Sequence, residues 1–392
     1  MSSDLLDQLA AYGAQQRRAQ PPLELDGVIG DRPSALDADA ERRTPNGAST
    51  PTAERTPPGR RRLVTLTAAA MVGAVVGLIA FVSVVRDGPT DVVSPGPAAD
   101  LEVVQPVELF RVNSDAAAYW RLTTLLEYGG EEFRLPRRSL ERIDGEFASG
   151  TAGNPRIRQQ VQILSLEGRL VPAAAEPVQA AGSSGGTEIS LTLNRDTSTL
   201  VAVRDLVPGD LFTIVSSMTQ PTPDELRAAT TEPPDPILVE VPADLPTVMG
   251  ELAVDVTIGA ATSYDSAVAL QNWFRSEFEH RAGAIDGHSA DDLDEFLDVR
   301  EGDAEQFSAA FALMARTLGL PTRVAVGYTP GVLNQEGWYS VTDAQSHSWP
   351  EVWFDDIGWI PFEPTPGRGI PGAEPATGVP TEQDERTATS SP

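Results

Sequence analysis

The chain of 392 residues contains no cysteine and no lysine. Without cysteine there is no disulfide and no thiolate nucleophile anywhere along it, so any extracellular part must rely on a core large enough to do without staples. Without lysine, all 29 basic residues are arginine; a coding bias explains this better than any physical demand, and no function is assigned to it. Positive charge is scarce overall, and the net charge is −28. Nine arginines and nine acidic residues balance within residues 1–62 and the next 23 residues are uncharged, so the whole deficit lies beyond them. A surface so acidic is repelled by phosphate, which excludes nucleic acid as the natural partner and leaves cationic groups favoured. No oxygen-ligand loop with a turn glycine accompanies the acidic run Asp291 to Asp298, so neither a metal nor a cofactor is expected.

The sequence does have one long apolar run. Leu63 to Val85 holds 23 residues without a charge. At 1.5 Å per residue it spans about 35 Å, enough for a hydrocarbon core of about 30 Å. Arg60, Arg61 and Arg62 precede it, which places the N-terminus in the cytoplasm and the acidic remainder outside the cell membrane. A cleaved signal peptide would start nearer the N-terminus and be shorter. The expectation is therefore a single-pass transmembrane helix over 63–85. Before it, residues 1–62 read as a cytoplasmic disordered tail opening on a short amphipathic helix with Leu5, Leu9 and Tyr12 on one face. A Pro-rich linker, 86–100, follows the apolar run.

Residues 101–218 alternate in strand fashion, at Tyr119 to Leu125, Gln160 to Leu166, Thr187 to Leu193, Thr199 to Val203 and Leu211 to Ser216, with turn residues between. A small β-rich, sandwich-like domain is expected there. A Pro-rich acidic linker covers 219–248. Helical periodicity then begins: Met249, Leu252 and Val256; Tyr264 to Phe278; and Asp291 to Asp298, with Leu293, Phe296 and Leu297 inward.

The next helix is the informative one. Asp303 can cap it, with Gln306 completing a capping box, and Phe307, Phe311, Met314 and Leu318 mark its buried stripe. Gly319 and Pro321 end it. Residue 304 is thus the first helical position, where backbone N–H groups and the helix dipole would stabilise a thiolate and an oxyanion. The residue there is Ala304, whose methyl group can do neither. Strands follow at Arg323 to Tyr328, Trp338 to Thr342, His347 to Phe354 and Trp359 to Phe362, the last two joined through Asp355 to Gly358. A simple register through that turn sets Glu363 opposite Pro350, three residues from His347, so contact between His347 and Glu363 needs a twist or bulge. Ser308, one turn along the helix, and Asp303 are the nearest substitutes for a nucleophile; Asp303 is better explained as a cap.

From Gly302 to Gly367 the chain resembles the bacterial transglutaminase-like family. The matching residues are Gly302, Glu305 and Phe307, the turn Gly319 to Val324, Gly327-Tyr328, then His347, Trp349, Glu351 and Val352, and the run Trp359 to Thr365. The segment with Tyr119-Trp120-Arg121 also looks like the stretch preceding this domain in membrane-bound bacterial members, so the resemblance covers residues 101–367. It implies an α+β, papain-like core domain over 249–367 and, in active members, acyl transfer or amide hydrolysis by a Cys-His-Asp triad. His347 takes the position of the base, Glu363 that of the carboxylate orienter, and Ala304 that of the missing nucleophile. Residues 368–392 read as a disordered tail.

The function expected from this is a membrane-anchored, extracytoplasmic pseudoenzyme serving as a binding or scaffold module. Its candidate partners are peptides, cell-wall stem peptides or a membrane protein. The alternative is an active amidase or acyltransferase with a nucleophile other than cysteine.

Overall fold

The computed structural model describes residues 105–135, 140–143, 145–147, 154–281, 287–381 and 383. The expected transmembrane helix over 63–85, the tail before it and the linker 86–100 lie outside the described residues. Among the described residues, no helix is long and apolar enough to cross a membrane.

The architecture is α+β, with strands at or overlapping each expected stretch and further ones at Glu108–Ser114, Ala173–Ala174, Glu176–Ser184, Glu279–His280, Glu301–Gly302 and Val332–Leu333 that were not expected. In chain order they include β1 (Glu108–Ser114), β2 (Trp120–Leu125), β3 (Arg156–Ile163), β4 (Ala173–Ala174), β5 (Glu176–Ser184), β6 (Thr187–Ile189) and β7 (Leu211–Ser217). Then come α1 (Pro223–Ala228), α2 (Thr247–Val256), α3 (Ser263–Glu277), β8 (Glu279–His280), α4 (Ala290–Val299), β9 (Glu301–Gly302) and α5 (Ala304–Thr317). The last group is β10 (Thr322–Tyr328), β11 (Val332–Leu333), β12 (Trp338–Thr342), β13 (Ser346–Phe354), β14 (Gly358–Pro361) and α6 (Glu374–Thr377).

The strands are not sorted by segment. The largest sheet has eight strands, seven of them in the order β6-β5-β7-β3-β1-β12-β11, so β12 and β11 from the C-terminal part extend a sheet built by the N-terminal part. The five-stranded sheet runs β14-β13-β10-β2-β4, so here β2 and β4 complete a sheet of the C-terminal part. The expected division between a β-rich domain at 101–218 and a core domain at 249–367 therefore marks a change in composition, while hydrogen bonds tie the two segments together. The physical reason is visible in β2 and β10, whose residues are all buried. Neither strand has a solvent face, so each needs a neighbour on both edges and cover on both faces.

Two further expectations are corrected. The supposed linker 219–248 contains α1, whose start is fixed by a Thr222–Glu225 capping box. The supposed disordered tail is ordered in its described part: Ile370, Ala373, Ala376 and Val379 are buried there. Tyr264 of α3 donates from its hydroxyl to the Ala376 carbonyl at 2.6 Å, and Gln271 donates to the Thr377 carbonyl at 3.0 Å.

Helix α5 is buried on every side from Ala304 to Arg316, more than the single apolar stripe expected. Four of its five alanines, at 309, 310, 312 and 315, let neighbours approach from all directions. Buried Arg316 is satisfied by donating to the carbonyls of Thr322, Leu126 and Glu240. Burial lowers its pKa to about 10, which still leaves it a cation at neutral pH.

Candidate functional site

The start of α5 forms as its sequence requires. Asp303 is the N-cap, accepting from the Glu305 N–H at 3.3 Å, and Gln306 closes the box by accepting from the Asp303 N–H at 2.9 Å. Ala304 is the first residue of the helix and is buried.

His347 and Glu363 come together. His347 Nε2 and Glu363 Oε2 are 2.8 Å apart, with both side chains almost wholly buried. The expected obstacle was a register one residue out. Phe354 pairs with Gly358 and Glu351 with Pro361, so the hairpin closes through three residues, 355–357, rather than four. Asp356 (φ 62) and Gly358 (φ 104) both adopt the left-handed conformation that this tight closure uses. Phe362 donates to the Pro350 carbonyl at 2.9 Å, which carries the same register onward and sets Glu363 across from Trp349. His347 and Trp349 are two residues apart and share a face of β13, so Glu363 becomes a diagonal neighbour of His347 without any bulge. A shift of one residue would have turned Glu363 to the other face.

The carboxylate is held from several sides. Its Oε2 also accepts from the Tyr119 hydroxyl at 2.9 Å, and its Oε1 accepts from the Thr365 N–H at 3.0 Å. The Glu363 backbone N–H donates to Gln271 Oε1 at 3.0 Å, and Arg275 reaches the carbonyls of Glu363, Thr365 and Arg368. Burial alone would raise the Glu363 carboxyl pKa, but the charge and hydrogen bond of His347 and the Thr365 N–H outweigh it and hold the group below the ordinary carboxylate range. An ionised carboxylate only accepts. Nε2 of His347 therefore carries the proton, and in the neutral imidazole Nδ1 keeps the lone pair.

A second imidazole escaped the sequence reading. His280 ends β8, which pairs in parallel with β9 so that His280 stands opposite Gly302. Its ring lies edge-on to Phe307 at 6.4 Å. Burial and then the nearby charge of His347 press its pKa down to about 4, against the opposing pull of Asp303 and Glu363. Asp303 at the start of α5 and the His347–Glu363 pair are among the charges that bear on this ring. The available signal was the strand-forming pair next to Phe278, too short to read as a strand.

The substitute nucleophile is committed elsewhere. Ser308 is buried, donates to the Glu305 carbonyl at 3.1 Å, and stands 2.8 Å from the Ser348 hydroxyl. With its own proton on Glu305, it accepts from Ser348 and pins α5 to β13. Asp303 acts as the cap.

Beside this group lies a buried ionic network that the sequence did not announce. Glu351 accepts from Arg121 Nη1 at 3.0 Å and from Arg323 Nε at 2.7 Å, while Glu176 accepts from both arginines. The Arg323 guanidinium also lies 4.1 Å from the centre of the Trp359 ring. No group of three or more His, Asp or Glu placed to hold a metal ion occurs among the described residues.

Residues 250–364 match the transglutaminase-like superfamily core, and residues 35–223 match the TgpA N-terminal domain. Among curated proteins, the chain is 40% identical over 78 residues to a protein-glutamine gamma-glutamyltransferase of Pseudomonas aeruginosa, covering 19% of this chain and 12% of that protein. It is 32% identical over 138 residues to the uncharacterized protein YebA of Bacillus subtilis, covering 33% of this chain and 19% of that one. The matches therefore span about an eighth and a fifth of the length of these relatives. Among solved structures, the periplasmic domain of TgpA from Pseudomonas aeruginosa is 23% identical with a TM-score of 0.49, covering 67% of this chain and 88% of that one.

Proposed function

We propose, for a chain that belongs to the transglutaminase-like family through its core domain, a catalytically silent role: the site holds a peptide or protein partner and does not transfer its acyl group. The observation that carries this reading is Ala304. The helix cap, the His347–Glu363 pair and the donors on the carboxylate are all kept, while the first helical residue carries only a methyl group, which offers no lone pair to a carbonyl carbon. Loss of a nucleophile from such a set leaves only the rate that binding and oxyanion stabilisation provide.

The proposed setting is the outer face of a cell membrane, with the chain anchored by the single apolar segment 63–85 and its N-terminus in the cytoplasm. The uncharged run and the arginines before it support this reading. Peptides, cell-wall stem peptides and membrane proteins are the proposed partners, and the net charge of −28 favours those that present cationic groups. The activity stated in the name of the Pseudomonas aeruginosa relative is not proposed for this chain.

Incubation of the protein with amide and glutaminyl substrates tests the reading. The expected result is no turnover above that of a His347→Ala variant. Turnover that disappears with His347→Ala overturns it in favour of an amidase or acyltransferase with another nucleophile.

A further inference from the structure

The Glu363 carboxylate is contacted by a residue from far outside the core: Tyr119 is 244 positions away in sequence. It lies in the segment matching the TgpA N-terminal domain and outside the 250–364 core match. Its hydroxyl and His347 Nε2 converge on one oxygen, Oε2, at 2.9 and 2.8 Å. Because an ionised carboxylate is an acceptor only, both groups donate to it.

We propose that Tyr119 is the positioning residue of this site: its O–H anchors Glu363 Oε2 and thereby holds the His347 imidazole in a single orientation and tautomer. The N-terminal segment then supplies a working part of the site, and the core domain alone lacks it.

The anchoring follows from what holds Tyr119 in place. The ring is buried and packs edge-on against His347 at 5.3 Å and Trp349 at 5.0 Å. The next residue, Trp120, donates from its indole to the Pro330 carbonyl at 3.0 Å, and Arg121 is fastened to Glu351. Strand β2 also sits unusually close to β10 at the residue facing His347. A Cβ at Gly327 would fall 2.2 Å from the Trp120 carbonyl oxygen, and the ladder shifts register between Val326 and Gly327. Only glycine permits that approach, so the backbone bearing Tyr119 has no room to drift. Burial, and then the charge of Glu363, push the phenol well above its ordinary pKa, so it remains a donor at every physiological pH. Thr365 fixes the other oxygen. Without Tyr119, Oε2 would keep one donor and the carboxylate could turn about its end.

The test is proton exchange at His347, followed by nuclear magnetic resonance in the full chain, whose three histidines make the spectrum assignable. It reads the geometry of the pair and does not depend on whether the site binds or converts a ligand. In the parent protein the Nε2–H of His347 should exchange slowly and in one tautomer. In Tyr119→Phe, which keeps the ring and removes only the hydroxyl, exchange should be at least about tenfold faster, the scale of one hydrogen bond to a charged group. His280 and His288 should not change. Trp349→Phe trims the same aromatic cluster without touching the carboxylate and should leave the His347 rate as it was. Unchanged exchange in Tyr119→Phe, equal acceleration in Trp349→Phe, or loss of the native fold in Tyr119→Phe overturns the proposal.

Discussion

Glu363 Oε2 lies 2.8 Å from His347 Nε2 although the two residues are 16 apart and leave the same hairpin by different strands. The pair exists because the turn between them is three residues long, which puts Glu363 across from Trp349 and on the face of β13 that carries His347. Such a dyad is costly to bury unless it is well paired, and here burial is offset by donors on both carboxylate oxygens. The chain thus keeps a paired imidazole and carboxylate while the start of α5 carries an alanine with no reacting atom.

Ser308 should prove structural. Ser308→Ala removes its contact with Ser348 and its bond to Glu305, and should cost about 1 kcal/mol of stability in urea denaturation. Any residual amide turnover should be unaffected. Disappearance of turnover in this variant alone would assign Ser308 as nucleophile.

Glu351 should be far more sensitive. With Glu176 it balances two buried guanidinium groups, and Arg323 has no solvent exposure at all. Glu351→Ala leaves the two guanidinium groups sharing Glu176, with one buried positive charge unbalanced, and should destabilise the protein by about 3–5 kcal/mol, measured by chemical denaturation. A loss below about 1 kcal/mol would mean that Glu176 alone satisfies the pair.

His280 should set an early acid limb. Its ordinary pKa of 6.5 is lowered to about 4 in the folded protein, so the unfolded chain takes up the proton first as pH falls. The penalty is absent above 6.5, grows below it and is complete near 4, reaching about 3 kcal/mol. Glu363 and Glu176, held below the ordinary value of 4.5, contribute only at lower pH. Urea denaturation at pH 7 and pH 5 should therefore show a loss of stability that is largely absent in His280→Gln. An equal loss in both proteins would contradict the burial assigned to this ring.

Local signals were the legible ones. The cap at Asp303, the inward residues Leu293, Phe296 and Leu297, and the ends of α5 follow from neighbours within a few positions, and they stand as the sequence indicates. The His347–Glu363 contact was legible as a pair of residues but not as a contact, because a turn of three or four residues decides which face Glu363 occupies, and Asp355 to Gly358 is compatible with either. Tyr119 and Arg121 were legible as part of a strand but their contacts, and those of Glu176, were not: these partners lie 55 to 244 residues away, and nothing local in a Tyr-Trp-Arg strand announces a buried carboxylate. The ordered segment around Ile370 and Ala373 was hidden by its Pro- and Gly-rich composition, since it is held by α3 and by packing with Tyr119 and Trp349 rather than by any periodicity of its own.

The most direct measurement is the pH dependence of iodoacetamide alkylation of an Ala304→Cys variant, compared with Val254→Cys on an exposed part of α2. If the site is intact except for its reacting atom, the thiol at 304 ionises well below the ordinary value of about 8.5, as expected beside an imidazole at a helix N-terminus, and adding His347→Ala moves it back up. The Val254→Cys thiol should titrate near 8.5. A thiol at 304 that titrates there too, ignores His347→Ala or does not react at all would contradict the account.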